Sequence, residues 1–139
     1  MTRLVRNWKL ALLAAGVLAA APVLAAPGPA QLLQEYAQAA GAGPQPERGR
    51  TFFTSEHGSD WKCATCHGTP PVGTGRHATT GKAIAPLAPA FNPERFTDTA
   101  KTEKWFRRNC KDVVGRECTA AEKADILAWL VSLPAPAAR

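Results

Sequence analysis

The sequence predicts a single small all-α domain, and three features lead to that expectation. Apolar residues recur at helical spacing in segments near both ends of the chain. Residues 68–95, between those segments, are rich in glycine and proline and contain no strand alternation of useful length. The chain has only 139 residues, which suits one domain better than two.

Residues 1–25 have the three parts of a secretory signal peptide. Three basic residues precede an apolar run over residues 10–21, and a small-residue cleavage site, Val-Leu-Ala, follows at residues 23–25. An uncleaved membrane anchor is the alternative, but the run is short and Pro22 interrupts it. We therefore predict cleavage after Ala25, export to the periplasm, and residues 26–139 as the mature domain.

The charge of the chain argues against a nucleic-acid partner. The formal net charge is +6, and removal of the signal peptide, which has three basic and no acidic residues, lowers it to +3. Such a modest charge, without a basic tract interleaved with aromatic residues, does not indicate nucleic-acid binding. With the signal peptide removed, no stable membrane insertion is expected either.

Two helices are expected in the first part of the mature chain. The segment 29–40 is expected to have an apolar face made of Leu32, Leu33, Tyr36 and Ala40. After a break rich in glycine and proline, a second helix is expected over 46–54, with proline in its tolerated first turn and Phe52 and Phe53 facing inward.

Two further helices should follow the irregular middle. Asp98 or Thr99 can cap a helix that runs to about Asn109. The sequence Thr119-Ala-Ala-Glu122 has the form of a capping box, and the helix that it opens should end before Pro134. The apolar stripe of this last helix contains Ile126, Trp129, Leu130 and Leu133.

The chemistry of the chain is indicated by residues 63–67, Cys-Ala-Thr-Cys-His. The pattern C-x-x-C-H is the attachment site of a c-type haem. Cys63 and Cys66, one helical turn apart, can add to the two vinyl groups of the porphyrin, and His67 is then the proximal iron ligand. The motif predicts one covalent haem c, with a carbonyl near Pro86 as the candidate that orients the His67 ring.

The sixth iron ligand cannot be the usual methionine, because the single methionine of the chain is Met1. His57 and His77 each lie ten residues from the motif histidine, and chain reach excludes neither. Both stand among glycine and charged residues, which also fits exposed histidines. Lys82 binds iron only after losing a proton, and Asn92, before a proline, fits a turn.

Asn109 is a further candidate. It follows Trp105 by four residues and Phe106 by three, so it shares their helical face. A buried amide beside two large aromatic rings needs a polar partner, and haem iron would be one. Hydrogen bonding to the backbone near a helix end is the alternative, which these residues leave open.

Two of the four cysteines lie outside the haem motif. In an oxidising compartment, Cys110 and Cys118 are best interpreted as a disulfide that closes a small loop. A zinc site made from all four cysteines is the alternative. It lacks a second C-x-x-C spacing and leaves the motif histidine unexplained.

The sequence resembles the SHP family (sphaeroides haem protein), class I cytochromes c with an asparagine axial ligand. The C-x-x-C-H motif is common to all c-type cytochromes, whereas the Arg-Asn-Cys segment in a chain without an internal methionine is far more specific. The resemblance rests on Thr80-Gly-Lys-Ala-Ile-Ala-Pro-Leu-Ala-Pro89, Arg95-Phe-Thr-Asp-Thr99, Glu103-Lys-Trp105, Arg108-Asn-Cys110, Val114-Gly-Arg-Glu-Cys118 and Glu122-Lys-Ala-Asp125.

The resemblance implies a class I cytochrome c fold around one haem c, with His67 as proximal ligand, Asn109 as distal ligand and a disulfide between Cys110 and Cys118. Family members are described as binding oxygen and nitric oxide and as receiving electrons from a dihaem cytochrome c. They are also suspected of oxidase or nitric oxide dioxygenase activity, which does not follow from these residues.

Two functions are therefore consistent with the sequence. The first is a haem protein that binds O2, NO or CO after its asparagine ligand detaches on reduction. The second is a simple electron carrier with His57 or His77 as sixth ligand. In either case a basic strip between Lys101 and Lys111 fits an acidic redox partner, or is an ordinary solvated helix face.

Overall fold

The computed structural model describes residues 27–58 and 60–135, so the predicted signal peptide lies outside the described residues. Helices and one short strand pair make up its regular structure. In chain order they are α1 (Pro29–Ala40), α2 (Pro46–Thr54), α3 (Cys63–His67), β1 (Gly75–Arg76), β2 (Ala83–Ile84), α4 (Thr99–Val114) and α5 (Ala120–Ser132).

The first two helices have the predicted bounds. Each begins with proline, whose missing N–H costs nothing in a first turn. Leu32 and Tyr36 of α1 are buried, as is Phe53 of α2, whereas Leu33, Ala40 and Phe52 are only partly buried. Helix α1 ends at Gly41, which takes the left-handed conformation (φ 64°) that glycine adopts without strain.

Helix α5 is the centre of the core. The predicted capping box is present, with the Thr119 hydroxyl accepting from the Glu122 N–H and the Glu122 carboxylate accepting from the Thr119 N–H. Every residue from 124 to 130 is buried, which is more than the predicted single stripe. The reason is that α1 and α2 both pack against this helix.

The crossing of α2 and α5 depends on Gly49. A Cβ atom at this position would lie 2.0 Å from the carbonyl oxygen of Asp125, far inside van der Waals contact. The two backbones therefore approach as closely as they do only because residue 49 has no side chain.

Helix α4 runs five residues beyond the predicted end at Asn109. Asp98 caps its start by accepting from the Lys101 N–H at 2.9 Å. The end is set by Gly115 in the left-handed conformation (φ 77°), a helix-stopping device that the prediction overlooked.

A disulfide joins Cys110 of α4 to Cys118, which lies just before α5. Both cysteines are buried. This pairing excludes a zinc site built from four cysteines, and the described residues contain no cluster of three or more His, Cys, Asp or Glu side chains suited to a metal ion.

Side chains also connect α4 with the helices that it faces. Glu103 accepts from the Tyr36 hydroxyl of α1 at 2.6 Å and from the Lys123 ammonium of α5 at 2.7 Å. The Phe106 ring meets the Tyr36 ring edge-on, with 5.9 Å between centroids. Together with the disulfide, these contacts hold α4 beside α1 and α5.

The middle of the chain is mostly irregular, as predicted, but it contains one short hairpin. β1 and β2 pair antiparallel, with Gly75 opposite Ile84 and Arg76 opposite Ala83. Two residues per strand are too few for an alternation pattern to be detected in the sequence. Among the residues that the structure describes, no helix is long and apolar enough to cross a bilayer.

Candidate haem-binding site

A cavity of about 1190 Å³ lies between α3, α4 and the chain that connects β2 with α4. Helix α3 contributes Cys63, Cys66 and His67 to its wall, and α4 contributes Asn109. Residues that are 42 positions apart, His67 and Asn109, thus line one space.

The two motif thiols are free and partly buried. Burial raises the pKa of the Cys63 thiol to about 11, so this thiol is protonated at neutral pH. The Cys66 sulfur accepts from the Ala78 N–H at 3.4 Å. At Gly75, a Cβ atom would lie 2.2 Å from the Cys66 carbonyl oxygen, so the hairpin packs directly on the motif backbone.

The His67 ring packs against the apolar core, with its centroid 6.0 Å from that of Phe53. Burial, together with the positive charge of Arg95, lowers the pKa of His67 to about 4. The imidazole is therefore neutral at physiological pH, which is the form that binds iron.

The Pro86 carbonyl, the candidate orienting group for His67, has other partners. It accepts from the Asn92 side-chain amide at 3.2 Å and from Arg95 Nε at 2.9 Å. Arg95 also donates to the Ala85 carbonyl at 2.7 Å. These donors fix the loop after β2, and a carbonyl near Pro86 as the orienting group of His67 stays a prediction. Asn92 is the turn residue that the sequence predicted, since its side-chain oxygen accepts from the Glu94 N–H.

Asn109 lies on the cavity side of α4 and is exposed. Its side-chain amide has no hydrogen-bond partner within residues 27–58 and 60–135. The alternative interpretation, in which this amide bonds to the helix backbone, is therefore not what the structure contains. The side chain is available to a group that fills the cavity.

The two other histidines differ in position. His57 lies outside the cavity lining: its ring stacks on Phe52 at 4.2 Å and its Nε2 hydrogen-bonds to the Phe52 carbonyl at 2.6 Å. His77 does line the cavity, and its Nδ1 accepts from the N–H groups of Thr79 and Thr80, each at 3.2 Å. Of the two, His77 alone is placed to face a group in the cavity.

The cavity fits a haem. Its volume exceeds the range of about 300–1,000 Å³ that is typical of small-molecule sites. Its lining combines apolar side chains with the two free thiols and the neutral imidazole that a covalent haem requires, and with the Asn109 amide. The apolar side chains include Phe52, Phe53, Leu87, Phe96, Ile126 and Leu130.

Comparison with known proteins identifies the family. Residues 39–130 match a family model described as a domain of unknown function, DUF1924. The chain is 47% identical over 125 residues to the cytochrome c-type protein SHP of Cereibacter sphaeroides, an alignment that covers 87% of this chain and 96% of the relative. The chain belongs to the SHP family. It is accordingly a monohaem c-type cytochrome with one covalently bound haem c.

Solved structures agree with this assignment to the SHP family. The structure of oxidised SHP, an oxygen-binding cytochrome c, matches with a TM-score of 0.72 and 49% identity, over 78% of this chain and 100% of that one. A solution structure of cytochrome c'' from Methylophilus methylotrophus matches with a TM-score of 0.67 and 33% identity, over 76% and 93%. The predicted all-α cytochrome c fold is confirmed.

Sequence reasoning assigned no role to two residues that shape the cavity. Arg95 lines it beside His67, and Phe96, which also lines it, has a left-handed backbone (φ 62°) that is uncommon for a bulky residue. The Phe96 ring packs against both halves of the core. The segment Arg95-Phe-Thr-Asp-Thr99 in the family resemblance was the available signal for both residues.

Proposed function

We propose that this SHP-family cytochrome binds a diatomic gas at an iron position that Asn109 covers in the oxidised state and vacates on reduction. In this proposal Cys63 and Cys66 hold the haem through thioether bonds and His67 is the proximal ligand. The observation that carries it is the unpaired Asn109 amide on the wall of the cavity that His67 also lines.

Chemistry favours detachment of this ligand on reduction. When bound, haem supplies an iron that changes oxidation state and can bind O2, NO or CO. The Asn109 amide oxygen is a hard, neutral donor that suits the ferric ion better than the softer ferrous ion. Once released, the same side chain can donate an N–H hydrogen bond to a gas molecule in the cavity.

Two relatives support this proposal. Oxidised SHP is an oxygen-binding cytochrome c. The solution structure of cytochrome c'' concerns the structural basis of haem-ligand detachment. Both are similar to this chain along nearly their whole lengths, so the same behaviour is a reasonable expectation for it.

A simple electron carrier is the second candidate function, and the position of His77 favours it. With its Nδ1 occupied by two backbone N–H groups, His77 would have Nε2 free to bind iron. Bis-histidine ligation would persist in both oxidation states and leave no position for a gas.

The visible spectrum of the ferrous protein with and without CO separates the two functions. With Asn109 detached, ferrous protein should be high-spin and should bind CO within the mixing time of a manual experiment. A ferrous protein that is low-spin and does not bind CO would contradict gas binding and support the carrier with His77.

The proposed function also includes export of the chain and a redox partner that reduces it. The proposed signal peptide over residues 1–25 would deliver the chain to the periplasm, and mass spectrometry of the exported protein should give residues 26–139 plus one haem. The electron would come from a redox partner such as a dihaem cytochrome c. A mass that includes residues 1–25 would contradict the proposed cleavage.

A further inference from the structure

All five basic side chains of α4 lie on one face of the helix. At 3.6 residues per turn they occupy an arc of about 120°, and each residue is exposed. The two acidic residues of α4 lie outside this arc. Glu103 accepts a hydrogen bond from Lys123, and Asp112 lies just beyond the edge of the arc, with its carboxylate 3.9 Å from Arg108 Nε. We call this surface the α4 basic face; it consists of Lys101, Lys104, Arg107, Arg108 and Lys111.

The helix does not need this arrangement for its own stability. Like charges three or four residues apart repel each other, as Lys104 does with Lys101 and with Arg108. Lys101 also lies in the first turn, where the positive end of the helix dipole disfavours a cation. Lys111, in the last turn, is favourably placed and lies 3.5 Å from Glu117, but the other four cations gain little from their own helix. The clustering of these four is better explained by something that binds to the face.

The α4 basic face borders the haem cavity. Lys101 and Arg108 line the cavity, and so does Trp105, which lies between them on the helix surface and is 44% exposed. The Arg108 guanidinium lies over the Trp105 ring, 5.8 Å from its centroid. Tryptophan and arginine are the residues that most often dominate the energy of protein interfaces.

We propose that the α4 basic face, with Trp105 at its border, is the docking surface for an acidic electron-transfer protein. This inference rests on the proposed function, since it concerns how the haem is reduced. The partner's reduced centre loses one electron, and the ferric iron gains it. Docking here would place the partner against the helix whose other side carries Asn109.

Charge complementarity of this kind acts mainly on the rate of association. A charge reversal within the face should therefore slow electron transfer, and added salt should reduce the difference by screening the charges. Lys104 is the suitable position to change, because it lies near the middle of the face and outside the cavity lining.

The test is stopped-flow reduction of the ferric holoprotein by a reduced acidic [2Fe–2S] ferredoxin at low ionic strength. Lys104→Glu should lower the second-order rate constant by about tenfold relative to wild type. Arg50→Glu is the matched control: it makes the same change in net charge at an exposed site on α2, outside the cavity lining. Its rate constant should stay within about twofold of wild type.

Two outcomes would overturn the proposal. Equal slowing by Arg50→Glu and Lys104→Glu would mean that net charge, not this face, determines the rate. An unchanged rate in Lys104→Glu, with loss of binding to phosphatidylcholine vesicles containing phosphatidylglycerol, would assign the face to a lipid surface. CO binding by the same ferrous proteins reports separately on the proposed function, because Lys104 lies outside the cavity lining.

Discussion

Asp125 is a buried carboxylate, with 2% of its surface exposed. It accepts from the Gln45 N–H at 2.6 Å, at the start of α2, and from Arg48 Nε. These bonds satisfy a charge that would be costly to bury alone, and they place a negative charge at the positive end of the α2 dipole. One side chain of α5 thus fixes both the position and the start of α2.

Removal of this carboxylate should destabilise the protein measurably. Asp125→Ala leaves the partly buried Gln45 N–H without its carboxylate partner, and we expect the free energy of unfolding to fall by about 1–3 kcal/mol. Urea unfolding of the ferric holoprotein measures this change. Glu47→Ala removes an exposed carboxylate from α2 and should change stability by less than about 0.5 kcal/mol. Equal effects of the two substitutions would contradict the role given to Asp125.

Residue types indicated part of the site from the sequence but not all of it. Cys63, Cys66 and His67 stood out because their spacing alone has a chemical meaning. Asn109 shared a helical face with Trp105 and Phe106, which left its role open. Only the structure distinguishes the two histidines, because it places His57 against Phe52 and outside the cavity lining, and His77 in that lining.

At the scale of elements, the close crossing of α2 and α5 depends on Gly49. A Cβ atom on residue 49 would overlap the backbone of Asp125. The same crossing brings Phe53 against Trp129, with 5.1 Å between ring centroids. Phe53 in turn packs against His67, so the crossing supports the cavity wall.

A methyl group at the crossing should therefore be poorly tolerated. We expect Gly49→Ala to lower the free energy of unfolding by about 3 kcal/mol, at the upper end of the range for overpacked cores. Gly43→Ala is the matched control, since its Cβ would meet nothing within 4 Å. Urea unfolding of both holoproteins measures the difference. A Gly49→Ala protein as stable as Gly43→Ala would show that the crossing is not as tight as described.

Element boundaries were predictable where a side chain or proline marks them. Pro29 and Pro46 mark the starts of α1 and α2, and the capping box at Thr119 marks the start of α5. The end of α4 was missed because Gly115, its stop, lies beyond a polar stretch with no clear apolar period. The five additional residues place Cys110 inside the helix, where its disulfide anchors the segment that carries Asn109.

At the scale of the molecule, the structure consists of a helical core and a cavity beside it. α1, α2 and α5 pack together, while α4 stands across the cavity from α3 and is held by the disulfide and by the bonds of Glu103. The all-α class was predictable from helical periodicity. The cavity was not, because it is formed by segments that are far apart in the chain.

The most direct test of the central claim, that Asn109 covers the ferric iron and leaves on reduction, compares Asn109→Ala with His77→Ala. The ferric visible and electron paramagnetic resonance spectra and the rate of CO binding to the ferrous protein are measured for each. Asn109→Ala should alter the ferric spectra and leave the CO rate nearly unchanged, since the side chain is already detached in the ferrous state. His77→Ala should alter neither. Ferric spectra that change with His77→Ala and not with Asn109→Ala would contradict the account.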